Sequence, residues 1–413
     1  MEHKYLSTKS NQNLRNINES GIFPSPYNFV GERTITIDEY VINDSTLREG
    51  EQTPGVNFRA KDKLRIAEKL NDLGVRRFEA GFPAASEKQM QCVRAITGLD
   101  LDAQIFAFSR ATKRDIDAVA ESGAQGIIVC FSVSQFHRKN KFKGMTKDEY
   151  LERLSHWISY AEDKGLFVIY SGEDTSRERD LGFLKEAYRT AEEAGADGAR
   201  IIDTLGCLSP DGATYLVREI GRSVNIPLEV HFHNDMGLAL ANSMAAVGAG
   251  ASGISTCVNG LGERAGIVAT EEAIAALHIL YGVDYFELGR LTELSRFIEN
   301  LTQVGNPPQK PITGENVLTH SSGIHQHGVF KNPVTYEFYP TGLFGQERRI
   351  ELDELSGRHG VIYVARNILG MDVSEMEAES IIDDIKSTFS LEGRQVSYSP
   401  QELRALIEQH RGA

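Results

Sequence analysis

The chain is poor in several features that would define whole classes of protein. Its 413 residues contain only 4 cysteines and 1 tryptophan, and no two cysteines form a CxxC pair. Three of the four cysteines lie in or beside apolar runs, so we expect buried, reduced thiols in a cytoplasmic protein rather than a disulfide framework. No GxGxxG motif follows an apolar run, which argues against a doubly wound dinucleotide-binding sheet.

The chain also lacks an excess of positive charge and any long apolar segment. Its formal net charge of −14 argues against nucleic acid or an anionic membrane as the main partner. No stretch reaches the ~18 apolar residues of a membrane span, and the polar N-terminus is not typical of a signal peptide. The exception is a basic cluster, RKNKFK at residues 138–143, which is either a solvated loop or a place for an anionic ligand.

What the chain does contain is a repeating unit of an apolar strand and an amphipathic helix. The strand-like runs recur at residues 40–44, 76–80, 103–108, 126–132, 166–171, 198–203, 227–231 and 252–257. Eight such units in ~250 residues predict an α/β protein with a (β/α)8 TIM barrel. We therefore divide the chain into an N-terminal arm (1–35), a barrel (36–288), and a linker with small, mainly helical C-terminal subdomains (289–413).

Polar side chains cluster where the predicted strands end. Active sites of TIM barrels lie at the C-terminal ends of the strands, so this convergence indicates an active site. The polar residues are Arg48, Glu49 and Gln52, then Arg110, Ser134, His137, Ser171, Glu173, Asp203, Thr204, His231, His233, Asn259 and Glu263.

The segment HFHND (residues 231–235) stands out among these strand ends. In an extended chain, residues i and i+2 point to the same side, so His231 and His233 can present two imidazoles together. Two imidazoles suit zinc or manganese better than magnesium, although a carboxylate ligand blurs that preference. The alternative is two unrelated polar residues in a loop.

The region after residue 290 follows a different pattern. GNPP (residues 305–308) and Pro311 predict a linker, and three histidines follow at 320, 325 and 327. These histidines indicate either a further site or an incidental helix start. Residues 373–389 and 400–410 predict amphipathic helices, but the region shows no evident core of its own, so we expect it to dock on something.

Seven motifs together resemble the acyl-CoA condensing synthases of the pyruvate carboxyltransferase-like barrel superfamily, which include homocitrate, 2-isopropylmalate and citramalate synthases. They run in the family's order over residues 36–340. They are DSTLREGEQ (44–52), EAGFP (79–83), GEDTSR (172–177), DTLG (203–206), HFHND (231–235), NGLGER (259–264) and SGIH (322–325).

The resemblance implies an enzyme that condenses acetyl-CoA with a 2-oxo acid and then hydrolyses the thioester. It implies a divalent metal (Zn, Mn or Mg) held by Glu49, His231 and His233. Arg48, Glu173 and His325 would be catalytic, with His325 supplied across a homodimer whose C-terminal regions are exchanged. The substrate-binding residues would be Gln52, Arg110, His137, Ser171 and Thr204.

The acceptor is the open part of this interpretation. Glu49 and Ile267 are typical of homocitrate synthases, whereas Ile169 stands where many of them keep an arginine for the distal carboxylate of 2-oxoglutarate. Arg110, Arg138 or Lys139 could pair with that carboxylate instead. We rank a dicarboxylic acceptor first, and isopropylmalate- or citramalate-type activity second.

Two other classes of protein are disfavoured. A 3-hydroxy-3-methylglutaryl-CoA lyase is disfavoured because the loop after the eighth strand has no cysteine. A non-catalytic regulatory paralogue is disfavoured because the motif residues are intact.

Overall fold

The computed structural model describes residues 18–29 and 41–412, and for Val41 it describes the backbone alone. The chain divides into two compact units. One unit spans residues 31–305, and the other combines the N-terminal residues up to 30 with residues 306–413. Most of the predicted N-terminal arm, 1–35, lies outside the described residues.

The first unit is a closed barrel of eight parallel strands, each hydrogen-bonded to the next along the chain, with β8 closing against β1. The predicted TIM barrel is therefore confirmed. The strands are β1 Val41–Asp44, β2 Arg77–Glu79, β3 Gln104–Arg110, β4 Gly126–Ser132, β5 Phe167–Glu173, β6 Gly198–Asp203, β7 Leu228–Phe232 and β8 Gly253–Thr256.

Helices alternate with these strands and show the capping chemistry expected from the sequence. Ser86, Thr112 and Thr146 each accept a backbone N–H at a helix start, and Gly74 and Gly123 adopt the left-handed conformation at helix ends. The helices are α1 Ala60–Leu73, α2 Glu87–Thr97, α3 Lys113–Ser122, α4 Gln135–Asn140, α5 Lys147–Glu162, α6 Leu181–Glu193, α7 Pro210–Gly221, α8 Ala239–Gly248, α9 Thr270–Tyr281 and α10 Leu291–Thr302.

The interior of the barrel has two chemically different levels. Phe106, Ile128 and Ile169 form a buried apolar cluster, and the half-buried Phe108 and Phe167 pack against it. Buried charged residues of β2, β6 and β7 form the other level, where Glu79, Arg200 and Glu229 pair with one another. The floor of the site is thus partly apolar and partly ionic.

The second unit has a hydrophobic core of its own, so the expectation that this region lacks one was wrong. Leu352, Val361, Ile381, Ile385 and Leu403 are among the residues buried in it. The core forms because α13 and α14 each turn an apolar face toward the segment 350–373, which the sequence pattern did not single out. The elements are β9 Thr319–His320, β10 Arg349–Ile350, α11 Gly323–Lys331, α12 Arg358–Tyr363 continued by a π-helical turn Val364–Ile368, α13 Glu375–Ser390 and α14 Pro400–Gly412.

The described part of the N-terminal arm belongs to this second unit. Ile22 and Phe29 are buried, and the backbone N–H of Phe23 donates to the carbonyl of Phe338 at 2.7 Å. Nowhere in residues 18–29 and 41–412 is a helix long and apolar enough to span a membrane.

Candidate active site and metal centre

Glu49, His231 and His233 come together at the C-terminal end of the barrel. One possible ligand atom from each residue lies within 4.8 Å of the others, and all three residues are buried. Among the described residues this is the single group of three or more such side chains. Glu49 follows β1, His231 lies in β7, and His233 comes just after that strand, so parallel strands that are distant in sequence assemble the group.

The surroundings of the two histidines fit a metal ion. Ser255 Oγ lies 2.9 Å from His231 Nδ1, which leaves Nε2 as the nitrogen for a ligand. His233 Nδ1 is buried without a hydrogen-bond partner, and such orphaned polar atoms are rare in protein interiors. Burial, and then the nearby His233, hold the pKa of His231 well below its usual value, so the ring is neutral, as a metal ligand must be.

Arg48 lies beside this group and is held in one orientation. Its Nε donates to Glu79 Oε2 at 2.7 Å. Its Nη1 donates to Glu49 Oε2 and also, at 3.3 Å, to Gln52 Oε1. The guanidinium also lies over the ring of Phe108, 4.9 Å from its centre. Burial would lower the pKa of Arg48, but Glu79 and Glu49 outweigh it and raise the pKa, so this side chain is a permanent cation.

A chain of ion pairs continues from Arg48 into the barrel. Glu79 Oε1 accepts from Arg200 at 2.6 Å, and Arg200 donates in turn to Glu229 at 2.9 Å. Glu229 also accepts from Arg77 at 2.6 Å. Burial would raise the pKa of Glu79, but Arg48 and Arg200 lower it to about 2, so Glu79 is ionised at neutral pH.

A second polar group surrounds Glu173 at the end of β5. Its Oε2 accepts from Ser132 Oγ and, at 2.7 Å, from Lys141 Nζ. Lys141 Nζ also lies 2.9 Å from Ser132 Oγ, and His137 Nδ1 is 3.8 Å from Glu173 Oε1. Burial would raise the pKa of Glu173, but Lys141 and Ser132 lower it, so this residue is a carboxylate.

Ser171 and Thr204 lie near this second group. Ser171 is buried on β5, two residues before Glu173 and therefore on the same side of the strand. The hydroxyl of Thr204 accepts the N–H of Asp174 at 2.9 Å. Asp174 itself has a positive φ of 63° and pairs with Arg177 at 2.7 Å, which turns the chain sharply after β5.

Two of the predicted cations have other partners. Arg110 donates to Asp115 from Nε at 2.6 Å and from Nη2 at 3.0 Å. Arg138 is buried, and its guanidinium donates to the carbonyl of Val133 and to Glu178. Of the three cations considered for a distal carboxylate, Arg138 and Lys139 both line a cavity of about 500 Å³. The other lining residues are Gln135, Phe136, Asn140, Gly144, Met145 and Arg179.

His325 lies in the other unit, on α11, where it is exposed and stacked on Tyr336 with ring centres 4.0 Å apart. The neighbouring histidines have separate partners. His320 Nε2 is 3.0 Å from Glu337, and His327 Nδ1 is 3.2 Å from His359 Nδ1. Among the described residues the three histidines therefore form no joint metal site of their own.

Several residues of the site were not assigned by the sequence analysis. They are Glu79, Ser132, Lys141, Arg200, Glu229 and Ser255. A charged residue inside an otherwise apolar strand is the sequence feature that could have found Arg200 and Glu229, because such residues are buried only when they are paired. The partners of Ser132, Lys141 and Ser255 lie on other strands and loops, and nothing in the local sequence indicates them.

The fold and the site agree with the family comparison. The HMGL-like family model matches residues 39–298, which include all eight strands of the barrel and reach into α10. The chain belongs to this family, and the predicted resemblance is confirmed. Solved structures support the same fold: hydroxymethylglutaryl-CoA lyase from Pseudomonas aeruginosa aligns with a TM-score of 0.57 at 20% identity, covering 65% of this chain and 94% of the lyase.

The rest of the chain narrows the assignment to the condensing synthases. A model described as homocitrate synthase post-HMGL domain-like matches residues 312–392. Homocitrate synthase AksA from Methanothermobacter thermautotrophicus is 44% identical, over 88% of this chain and 92% of its own length. The 2-isopropylmalate synthase of Methanocaldococcus jannaschii is 38% identical, over 90% of this chain and 71% of its own length. The predicted acyltransferase class is confirmed by these relatives.

Proposed function

We propose that the chain is a homocitrate synthase-type enzyme, which condenses acetyl-CoA with a dicarboxylic 2-oxo acid, 2-oxoglutarate first among them. The observation that carries this proposal is the buried Glu49–His231–His233 group beside the fixed cation Arg48. The similarity to homocitrate synthase AksA over nearly its whole length supports the same activity.

A divalent metal ion would be held by Glu49, His231 and His233. The two imidazoles of this donor set favour zinc or manganese over magnesium. When bound there, a divalent metal acts as a Lewis acid that polarises the keto group of the 2-oxo acid. His231 is neutral and oriented by Ser255, so the protein supplies a prepared ligand.

The protein side chains account for the remaining requirements of the reaction. A base removes a proton from the methyl group of acetyl-CoA, and this carbon bonds to the keto carbon of the acceptor. The electron pair of the C=O double bond moves to the keto oxygen, which is then protonated to a hydroxyl. Water finally cleaves the thioester and releases CoA. Arg48 offers fixed positive charge to the oxygens on which negative charge develops. Ser171, Glu173, Thr204 and His137 would line the acceptor pocket, and Gln52 would bind beside Arg48.

The nucleotide part of CoA would bind in the cavity beside α4. Phe136 is partly exposed there and can stack on a base, while Lys139 and Arg179 offer positive charge to phosphates. Arg179→Met should therefore raise KM for acetyl-CoA and leave KM for the 2-oxo acid unchanged. An unchanged KM for acetyl-CoA would exclude Arg179 from CoA binding.

A homodimer with exchanged C-terminal regions would complete each active site with His325 of the partner subunit. The surroundings of His325 support an interface, because Ile324 is 75% exposed and Leu355 70% exposed beside it. The N–H of Gly323 donates to the carbonyl of Leu355, which brings the two backbone segments that carry these side chains together. Exposed apolar groups of this kind are typical of surfaces that bind a partner.

The second candidate is a 2-isopropylmalate or citramalate synthase-type activity. It is favoured by Ile169, which is 2% exposed within the apolar cluster of the barrel and offers no charge to a distal carboxylate. An apolar or small acceptor would suit a pocket that reaches down to this cluster. Arg110, which the sequence analysis expected to bind substrate, is paired with Asp115 through its Nε and Nη2.

Release of free thiol from acetyl-CoA tests the proposal. The purified protein is supplied with zinc, manganese or magnesium and with 2-oxoglutarate, oxaloacetate, 2-oxoisovalerate or pyruvate. We expect the highest kcat/KM with 2-oxoglutarate. A clear preference for 2-oxoisovalerate or pyruvate would establish the second candidate instead, and no turnover with any acid would support a non-catalytic regulatory protein.

A further inference from the structure

Lys141 has a position that the known chemistry of the site does not explain. It follows α4 and reaches the strand ends, where its ammonium contacts both Glu173 and Ser132. An ammonium has three N–H donors, and these contacts use two of them. Its side chain remains 50% exposed, so one donor is left for a ligand from the pocket.

The other basic side chains near the strand ends are engaged elsewhere. Arg48 is bound to Glu79 and Glu49, and Arg110 is paired with Asp115 through its Nε and Nη2. Arg138 is buried against Glu178. Lys141 differs from these cations because its ammonium contacts Glu173 and Ser132 at the strand ends, where the acceptor pocket is proposed to lie.

The strand register brings Glu173, which Lys141 contacts, close to the end of β7 that carries His231. Gly172 pairs with Ile201 on β6, and Ile202 pairs with His231 on β7, so Glu173 is two strands away from His231 in the same register. Adjacent strands are ~4.8 Å apart, which gives a separation of roughly 10 Å between these backbones. The side chains reach inward from both, and the short chain of a dicarboxylic 2-oxo acid fits between them.

The same register explains why Ile169 does not decide the acceptor. Ile169 lies four residues before Glu173 on β5, about 13 Å back along the strand. A second carboxylate at the height of Glu173 would not reach the apolar cluster around Ile169. It would meet the ammonium of Lys141 and the hydroxyl of Ser132.

We propose that Lys141, anchored by Glu173 and Ser132, binds the second carboxylate of the acceptor and selects dicarboxylic 2-oxo acids. This inference rests on the proposed condensation with a 2-oxo acid, and it identifies the residue that recognises the acceptor. Lys141 and Glu173 neutralise each other in the free protein, so Glu173 repels an incoming carboxylate less than an unpaired carboxylate would.

The test compares Lys141→Met with the wild type on 2-oxoglutarate and on 2-oxoisovalerate. Loss of a charged hydrogen bond should lower kcat/KM for 2-oxoglutarate by about 10- to 100-fold, mainly through KM. The value for 2-oxoisovalerate, which has no second carboxylate, should change little. Lys141→Arg keeps the charge and should retain the preference for the diacid.

The matched control is Lys143→Met, which removes the same charge two residues along the same exposed loop and should leave both values unchanged. Equal losses of kcat/KM on both acids in Lys141→Met would mean that Lys141 acts only through Glu173. Unchanged values of kcat/KM would mean that Lys141 has no role. Either result overturns the inference while the condensation activity stands. A wild type without turnover on any acid, or with a preference for 2-oxoisovalerate, would instead overturn the proposed function.

Discussion

Arg48 and Glu79 are joined by a hydrogen bond of 2.7 Å between Nε and Oε2, and Glu79 is bound on its other side by Arg200. Arg48 lies after β1, Glu79 ends β2 and Arg200 belongs to β6. The orientation of the cation at the metal group is therefore set by a carboxylate that is itself fixed from across the barrel. A charge held in this way needs little reorganisation when negative charge develops in the reaction.

Glu79→Gln should therefore impair catalysis without removing the metal. The amide keeps the shape of the side chain but no longer offers a charged acceptor to Arg48, so we expect kcat to fall by about 10- to 100-fold, as is common when a supporting contact of a site is lost. Metal content, measured by elemental analysis, should stay at the wild-type level. The control is Glu229→Gln, which alters the same ion-pair chain without touching Arg48 and should lower kcat less. Equal kcat values for the two variants would contradict the positioning role.

The pKa of Glu79 also predicts how stability depends on pH. Its folded-state pKa is about 2 against an ordinary 4.5, so the ionised form is stabilised by folding. This contribution is fully present above pH 4.5 and is lost as the pH falls toward about 2. The difference in free energy of unfolding between the wild type and Glu79→Gln should shrink over that range. Urea unfolding at several pH values measures it, and a constant difference would contradict the prediction.

Much of the barrel could be predicted from the sequence because each strand is an apolar run with its own helix and cap. The predicted runs 126–132 and 198–203 coincide with the observed strands Gly126–Ser132 and Gly198–Asp203, and the ends of the other strands, as far as they are described, differ by at most two residues. Strand ends in this fold converge by topology, so Glu49, His231 and His233 could be grouped before their distances were known.

The pairings inside the barrel could not be predicted in the same way. Glu79 and Arg200 are 121 residues apart, and which buried cation meets which carboxylate depends on strand register and rotamers. Lys141 looked like part of a solvated basic loop, because nothing in RKNKFK distinguishes the lysine that turns toward Glu173. The core of the C-terminal unit was missed for a related reason: it combines helix faces with short segments that show no periodicity.

Replacement of a metal ligand should abolish activity and metal binding while the barrel stays folded. We expect this for His231→Ala, because the imidazole belongs to the Glu49–His231–His233 group that we propose to hold the metal. Ser255→Ala should have a milder effect, a loss of about 10- to 100-fold in metal affinity, because it frees the ring of His231 without removing it. Ser252→Ala, just before the start of the same strand, is the control and should bind metal normally. Full activity after exhaustive chelation would disprove the metal site.

Ile169 should matter for stability more than for the choice of acceptor. It packs with Phe106 and Ile128, so Ile169→Val should cost about 0.5–1.5 kcal/mol and Ile169→Ala about 2–5 kcal/mol of unfolding free energy. The ratio of kcat/KM for 2-oxoglutarate to that for 2-oxoisovalerate should stay constant in Ile169→Val. A large change in that ratio, with stability unaltered, would make Ile169 a specificity residue after all.

Two inactive variants should restore activity in a mixed dimer if each active site takes His325 from its partner. Arg48→Ala disables the barrel of its own chain, and His325→Ala disables the site of the other chain. After the two proteins are unfolded and refolded together, half of the dimers are mixed and each mixed dimer has one intact site, so about a quarter of wild-type activity should return. His327→Ala, altered on the same helix, should be active by itself, which separates the role of His325 from damage to α11. If the wild type recovers after the same treatment and the mixture does not, His325 does not act across the subunit boundary.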